Sequence, residues 1–283
     1  MSQVLTDFSE AALIRALEIN LWEVFAQLIR FMPGSEVREN TEGIRFATGI
    51  PHPLANGMMR TRFAPEAAEE KIAETLAYFQ ARSLPMLWWT CPSDQPADLG
   101  TRLQNQGLAQ IANMPGMAID LEAMNDSIPM PQGVRIEEVG DTAALQQWTH
   151  ALTVGYEIPP ALGEAFGAAW GRFGFGSDLP LRNFLAAQHG KPVSCASLYL
   201  DAGVAGIYCV ATVPEARRQG IAAALVLRCL QEARALGYRI GTLQSSQMGE
   251  GVYRRLGFQE CCKVGMYAWP GQTEEASGAV HSA

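Results

Sequence analysis

Val210-Ala211-Thr212-Val213-Pro214-Glu215-Ala216-Arg217-Arg218-Gln219-Gly220-Ile221-Ala222 joins an apolar run to a long amphipathic one. The apolar side, Val204–Val213, reads as a strand, rich in β-branched and aromatic residues. The other side, Gln219–Leu236, reads as a helix. Ile221, Leu225, Leu230 and Ala233 recur at helical spacing, and Gly237 follows its end. Between them stands Arg217-x-x-Gly220-x-Ala222. The first turn of a helix has N–H groups without partners, and the aligned peptide dipoles place partial positive charge there. Glycine at 220 lets a phosphate approach the backbone, Ala222 keeps the next turn slim, and Arg217 and Arg218 add cationic charge. The unit is expected to cradle a pyrophosphate.

Working outward, Val134–Glu138 reads as a strand, and Asp141 caps a helix over Thr142–Thr153. A second helix is expected over Pro159–Phe173, its regularity weakened by Gly163, Gly167 and Gly171. Strands follow at Asn183–Gln188 and Pro192–Leu200, with tight turns at Gly190-Lys191 and Asp201–Gly203. Beyond the long helix come a strand over Ile240–Gln244, a helix over Gly249–Leu256 and a strand over Val264–Trp269. Gly271–Ala283 is small, polar and aperiodic, so a disordered tail is expected.

The N-terminal half follows a related plan. It opens with a helical pattern over Ala12–Ile29, ended by Pro33-Gly34. Strands are expected at Ser35–Glu39, Gly43–Thr48, Asn56–Phe63, Met86–Thr90 and Met117–Leu121, and helices at Pro65–Arg82 and Asp94–Gln106. Gln106-Gly107-Leu108 followed by Gly116-Met117 matches Leu256-Gly257-Phe258 followed by Gly265-Met266, which suggests an internal duplication. The expected organisation is a degenerate domain over 1–124, a linker over 125–132, a catalytic domain over 133–270 and a tail over 271–283.

The loop resembles the acyl-CoA signature of the GNAT superfamily of N-acyltransferases, [Arg/Gln]-x-x-Gly-x-[Gly/Ala]. Val210-x-x-Val213-Pro214-Glu215 ahead of it, and Tyr253-Arg254-Arg255-Leu256-Gly257-Phe258 after it, extend the likeness over about Val134 to Trp269. The resemblance implies an α/β (α+β) fold: two GNAT-like units in tandem, each a mixed, mostly antiparallel sheet flanked by helices. It implies acetyl-CoA as co-substrate and no metal. Backbone groups of Arg217, Arg218, Gln219, Gly220, Ile221 and Ala222 would hold the pyrophosphate. The edge Val210, Ala211, Thr212 and Val213 would hold the pantetheine arm, with Ser245, Ser246 and Tyr253 also near the cofactor. The strand before the loop would splay from the strand after the long helix, and the acyl chain would enter that wedge.

Tyr253 is the candidate general acid, because the departing thiolate needs a proton and a phenol can supply one. Glu157 is a candidate base; an ordered water or an already neutral substrate would serve as well, since Val204–Val213 carries no carboxylate. Tyr156, Trp170, Phe173, Tyr199 and Tyr208 are the expected acceptor pocket, with ordinary core packing the competing reading for these aromatics. In the N-terminal half Glu66, Glu69 and Glu70 stand where a pyrophosphate would bind, and Leu103 stands at the place of Tyr253. One active site per chain follows.

The implied reaction is acetyl transfer from acetyl-CoA to the primary amine of a small molecule, by direct attack in a ternary complex. A CoA-binding regulatory module without turnover is the alternative. Composition narrows the partners. A net charge of −8 over 283 residues argues against general nucleic-acid binding and leans toward small cationic or neutral substrates. The six cysteines include no C-x-x-C pair, so no metal is expected, and Cys209 reads as packing more readily than as a nucleophile. Reduced thiols and a polar, acidic start suggest the cytoplasm. The most apolar run, Cys195–Val213, is broken by Asp201, Gly203 and Gly206, so no membrane association is expected. The chain is expected to be a monomer or a homodimer.

Overall fold

The computed structural model describes residues 3–176 and 178–271. The expected tail lies outside the described residues from 272 onward. The elements, in chain order, are α1 (Glu10–Phe31), β1 (Glu36–Asn40), β2 (Gly43–Ala47), β3 (Asn56–Met59), α2 (Ala68–Gln80), β4 (Met86–Thr90), α3 (Leu99–Asn105) and β5 (Ala109–Asp120). They continue as β6 (Val134–Glu138), α4 (Thr142–Gly155), α5 (Pro160–Gly171), β7 (Leu181–Gln188), β8 (Lys191–Asp201), β9 (Val204–Thr212), α6 (Ile221–Ala235), β10 (Ile240–Gln244), α7 (Glu250–Leu256) and β11 (Gln259–Trp269).

The chain divides into two compact units, and each draws on both halves of the sequence. The first comprises the described residues up to Val24 together with Pro115–Cys261; the second comprises Phe25–Met114 and the described residues from Cys262 onward. The division into 1–124 and 133–270 thus follows order along the chain, whereas the compact units exchange their last strands.

In the first unit β6, β7, β8 and β9 form an antiparallel run, β9 pairs parallel with β10, and β10 pairs antiparallel with β5. Helix α6 lays Leu225, Val226, Leu227, Cys229, Leu230 and Ala233 into a core shared with Phe184, Leu198, Ile207 and Leu243. Each such leucine contributes about 1.5–3 kcal/mol of burial. Arg182 on β7, almost fully buried, ties β6 to α6 by ion pairs to Glu138 and, at 2.7 Å, to Glu232. Asp141 caps α4 as expected, its carboxylate accepting from Ala144 N–H at 2.8 Å.

Helix α5 is regular despite its glycines. A Cβ at Gly163 would lie 1.9 Å from Thr153 Oγ1, and one at Gly167 would lie 2.3 Å from Thr149 Oγ1. The two glycines, one turn apart on the same face, are what allow α5 to approach α4 so closely.

In the second unit β1, β2 and β3 are antiparallel, β3 pairs parallel with β4, and β4 pairs antiparallel with β11. The register bears on the duplication. Gly116 faces Gln244 and Met117 faces Leu243 in one unit; Gly265 faces Thr90 and Met266 faces Trp89 in the other. Equivalent residues of β5 and β11 thus meet equivalent ends of β10 and β4. Each unit also has its parallel pair at the same place, with a helix between the paired strands.

Strand β3 ends at Met59, four residues before the expected Phe63, because Arg60 takes a left-handed conformation (φ 56°). Strands β5 and β11 begin earlier than expected. Their first residues, Ala109–Asn113 and Gln259–Lys263, are mostly exposed and mix apolar with polar residues, so hydrophobic patterning gave no clear signal there.

Candidate active site

Strands β9 and β10 are hydrogen-bonded neighbours only at Ala205–Gly206 and Gly241–Thr242. Past that point they part, and a wedge opens. A bulge helps. Between Cys195 and Ser197 on β8 the facing strand runs from Ala211 back to Tyr208, and Cys209 adopts a φ of 54°. A bulge of this kind frees edge groups from the ladder and re-aims side chains. The wedge leads into a cavity of about 480 Å³ lined from β9, the 213–220 loop, the start of α6, the end of β10, α7 and the end of α4.

The loop is built as an anion seat. Pro214–Ala216 makes one 3₁₀ turn, Arg218 has a φ of 63°, and Gly220 stands at the N-cap of α6 with a φ of 81°. No side chain caps this helix among the described residues. The first N–H engaged is that of Ala224, which donates to Gly220 O at 3.1 Å, so the N–H groups before it point out of the helix. Gly220 is exposed, and a Cβ there would meet only Pro131 Cγ, at 3.9 Å. An uncapped 15-residue helix with a bare glycine at its mouth fits a pyrophosphate.

Arg217 supports the loop from behind. Its guanidinium donates to Thr212 O at 3.1 Å, to Gly155 O at 2.9 Å and to Glu157 Oε1 at 2.9 Å. These bonds tie the end of β9 to the α4–α5 turn. Gly155 permits the approach, since a Cβ there would lie 2.9 Å from Ala211 Cβ and from Thr212 N.

Three phenols meet the cavity. Tyr253, on α7, is buried, and desolvation pushes its hydroxyl well above the ordinary value of 10. Its ring packs edge-on to Phe258 at 5.9 Å. Tyr156, in the turn after α4, is likewise raised by burial and lies close enough to Tyr253 and Cys209 to feel both. Tyr208 donates its hydroxyl to Asn20 Oδ1 at 2.6 Å. Asn20, fully buried on α1, also donates to Asp201 O at 2.9 Å and Tyr199 O at 3.3 Å. Nothing in the sequence pointed to Asn20; its only signal is a lone amide on an otherwise apolar helix face.

Of the expected cofactor residues, Val210, Ala211, Thr212, Arg217, Arg218, Gly220, Ile221, Ala222, Ser246 and Tyr253 line the cavity. Val213, Gln219 and Ser245 do not. Val213 is buried in the core, Gln219 donates to Glu215 O at 3.2 Å, and Ser245 donates to Ser246 O at 2.8 Å. Tyr156 and Tyr208 line the cavity, whereas Trp170, Phe173 and Tyr199 stand outside its lining. These three continue a chain of aromatic contacts from Trp148, with ring centroids 6.0, 5.5 and 6.4 Å apart in turn. Glu157 also lies outside the lining, held by Arg217. Gln244, Met248 and Arg255 line the cavity and were not expected there. The Cys209 thiol, reached by Ser197 and Trp170, is pushed up to about 12 by desolvation. It is therefore a thiol at neutral pH and a poor nucleophile.

In the second unit the corresponding wedge is closed. Past β3, Phe63 N–H donates to Gln95 O at 3.0 Å, and Gln95 N–H donates to Thr61 O at 2.9 Å. Trp88 Nε1 fills the space behind them, donating to Thr61 Oγ1 at 2.8 Å. Glu69, in the first turn of α2, accepts from Arg102 at 3.2 Å and Gln106 at 2.9 Å. Leu103 is fully buried.

Comparison with known proteins agrees with the splayed parallel strand pair, the bulge and the uncapped helix. The Acetyltransferase (GNAT) family matches residues 146–258. Residues 146–258 are thus a GNAT acetyltransferase domain. The matched stretch runs from α4 through the loop and α7 to Phe258, so it contains the whole cavity lining. No curated protein matches the chain. Among solved structures, the chain is similar to a GCN5-related N-acetyltransferase from Kribbella flavida, at 18% identity and a TM-score of 0.68, covering 90% of this chain and 96% of that one. A GCN5-related N-acetyltransferase from Sphaerobacter thermophilus is 15% identical with a TM-score of 0.62, covering 95% of each. A tandem GNAT protein from the clavulanic acid biosynthesis pathway is 14% identical with a TM-score of 0.59, covering 96% of this chain and 98% of that one. At these identities the likeness is one of fold, and it extends over both halves of this chain. GNAT acetyltransferases use acetyl-CoA, and the seat at Gly220 suits that cofactor's pyrophosphate. Among the described residues, no helix is long and apolar enough to cross a membrane.

Proposed function

We propose that this GNAT chain transfers the acetyl group of acetyl-CoA to the primary amine of a small molecule, by direct attack in a ternary complex. The observation that carries the reading is the buried Tyr253, which lines the same cavity as the β9 edge and the start of α6. Acetyl-CoA supplies a thioester, whose acyl carbon is open to a nucleophile. The N–H groups at the start of α6 hold the pyrophosphate, and the freed edge Val210–Thr212 holds the pantetheine arm by strand-like bonds. Tyr253 gives its proton to the leaving sulfur. Burial keeps that proton in place until the thiolate develops, which suits a general acid. A relay through Cys209 would need a thiolate that its surroundings oppose, so attack by the acceptor itself is favoured. Tyr156 and Tyr208 orient the acceptor. Positioning of this kind supplies much of the rate when no base is close at hand.

The second unit takes no cofactor in this reading, its wedge being closed and its α2 first turn acidic. The chain acts in the cytoplasm as a monomer or homodimer, in keeping with six free cysteines. Incubation with acetyl-CoA and a panel of primary amines should release free thiol and give acetylated product by mass. Bound acetyl-CoA with no turnover on any amine would instead make the chain a CoA-binding regulatory module.

A further inference from the structure

The ionisable groups around the wedge are unevenly distributed. Arg217, Arg218 and Arg255 line the cavity, each carrying a guanidinium. Tyr156, Tyr208, Tyr253 and the Cys209 thiol supply its remaining titratable groups. Among the described residues of this lining there is no carboxylate and no imidazole. The carboxylate next along the chain, Glu157, sits in the turn after α4 with its Oε1 engaged 2.9 Å from Arg217. Arg217 is paired with Glu157 and Arg218 stands at the pyrophosphate loop, which leaves Arg255 as the lining's further cation. An ammonium entering this space would leave water, meet no carboxylate and find no group in the lining to accept its surplus proton. Removing a charge from water without a partner is costly, and like charges in the lining add to the cost.

We infer that the acceptor is a weakly basic aromatic amine, of the arylamine or arylhydrazine class, which enters the wedge uncharged and lies against the phenol rings of Tyr156, Tyr208 and Tyr253. The inference rests on the acetyltransferase reading above. An alkylamine with an ordinary pKa of about 10.4 is neutral in on the order of one molecule in 10³ at pH 7, whereas an arylamine is almost wholly neutral. The step balances without an added base. The amine lone pair forms the C–N bond to the acyl carbon as the C–S bond breaks, and that bond's electron pair stays on sulfur. Sulfur takes the Tyr253 proton, and the proton shed by nitrogen restores the phenol. Aromatic rings at 156, 208 and 253 also give the acceptor's ring offset or edge-on partners.

The test uses two isomers, p-toluidine and benzylamine, which share an atom count and nearly a shape but differ in basicity. Acetyl-CoA is first titrated into the full-length protein by calorimetry, and each amine is then titrated into the protein saturated with CoA. Free-thiol release from acetyl-CoA is followed with both amines from pH 6 to pH 9. The expected results are measurable p-toluidine binding at pH 7 and a kcat/KM exceeding that for benzylamine by on the order of 10²-fold. The p-toluidine rate should stay flat across the range, while any benzylamine rate should rise about tenfold per pH unit. Equal or better use of benzylamine at pH 7 would overturn the inference and leave the acetyltransferase reading standing. So would transfer to neither isomer when acetyl-CoA binds and other amines are acetylated. An absence of heat on adding acetyl-CoA would take down both.

Discussion

The guanidinium of Arg217 lies 2.9 Å from the carboxylate of Glu157, across 60 residues of chain, and binds the Gly155 carbonyl at the same distance. The loop proposed to seat the cofactor and the turn that carries Tyr156 are thereby one piece. Glu157 holds Arg217 and lies outside the cavity lining, so in the proposed reading it braces the loop. Glu157→Gln should therefore leave the pH profile of kcat unchanged and raise KM for acetyl-CoA by about threefold, as suits a part-exposed ion pair worth less than about 1 kcal/mol. Steady-state kinetics at several pH values check this. A fall in kcat of more than about 10²-fold, of the size general bases contribute, would return Glu157 to the role of base.

Tyr253→Phe removes the proton donor and leaves the ring against Phe258. The loss expected for a general acid is on the order of 10²-fold in kcat, with acetyl-CoA affinity within about twofold. The alkaline limb of the wild-type profile follows from the sign of the shift. Burial raises the phenol, so the acid form persists above the ordinary value of 10. Activity should hold through pH 9 and fall only beyond pH 10. A limb centred below pH 9 would assign the acid to another group.

Gly220→Glu tests the cradle. A side chain at φ 81° costs about 1–2 kcal/mol of backbone strain, and the added carboxylate repels a phosphate from the helix N-terminus. Calorimetry should show no acetyl-CoA binding, while the melting temperature drops by only a few degrees. Retained affinity would move the pyrophosphate elsewhere.

Gly167→Ala tests the contact of α4 with α5. The new methyl would collide with Thr149, and over-packing of this kind costs about 1–3 kcal/mol. Thermal denaturation should show Tm lowered by roughly 2–4 °C per kcal/mol. The double variant with Thr149→Ser, which removes the nearby methyl, should recover part of the loss.

Much of this was legible before any coordinates. Met86–Thr90, Val134–Glu138 and Ile240–Gln244 are strands at the bounds their composition suggested, because apolar runs closed by polar or turn residues leave little choice. The 217–222 loop and Tyr253 fall on one cavity, as the fixed spacing of a phosphate seat suggested. The place of Glu157 beside Arg217 was hidden for a physical reason: a loop carboxylate looks the same in sequence whether it faces solvent, a substrate or an arginine 60 residues away. Trp170, Phe173 and Tyr199 looked like a pocket because aromatic rings suit one, yet here they stack on each other outside the lining. The glycines of α5 looked like helix breakers until the threonines they face were known. Pairing partners were hidden altogether. Hydrophobic alternation marks Met117 and Met266 as strand residues but does not say that each completes the other half's sheet.

That exchange has a consequence for how the molecule comes to exist. The N-terminal unit cannot close its sheet when its own residues leave the ribosome, because β11 must be made before Met266 can meet Trp89. The early-made unit waits with β4 uncovered on that side, and the active unit in turn takes up β5, made long before its own strands. A gene cut at the 125–132 segment would give two products that each lack a strand, so the two halves depend on each other to complete their sheets.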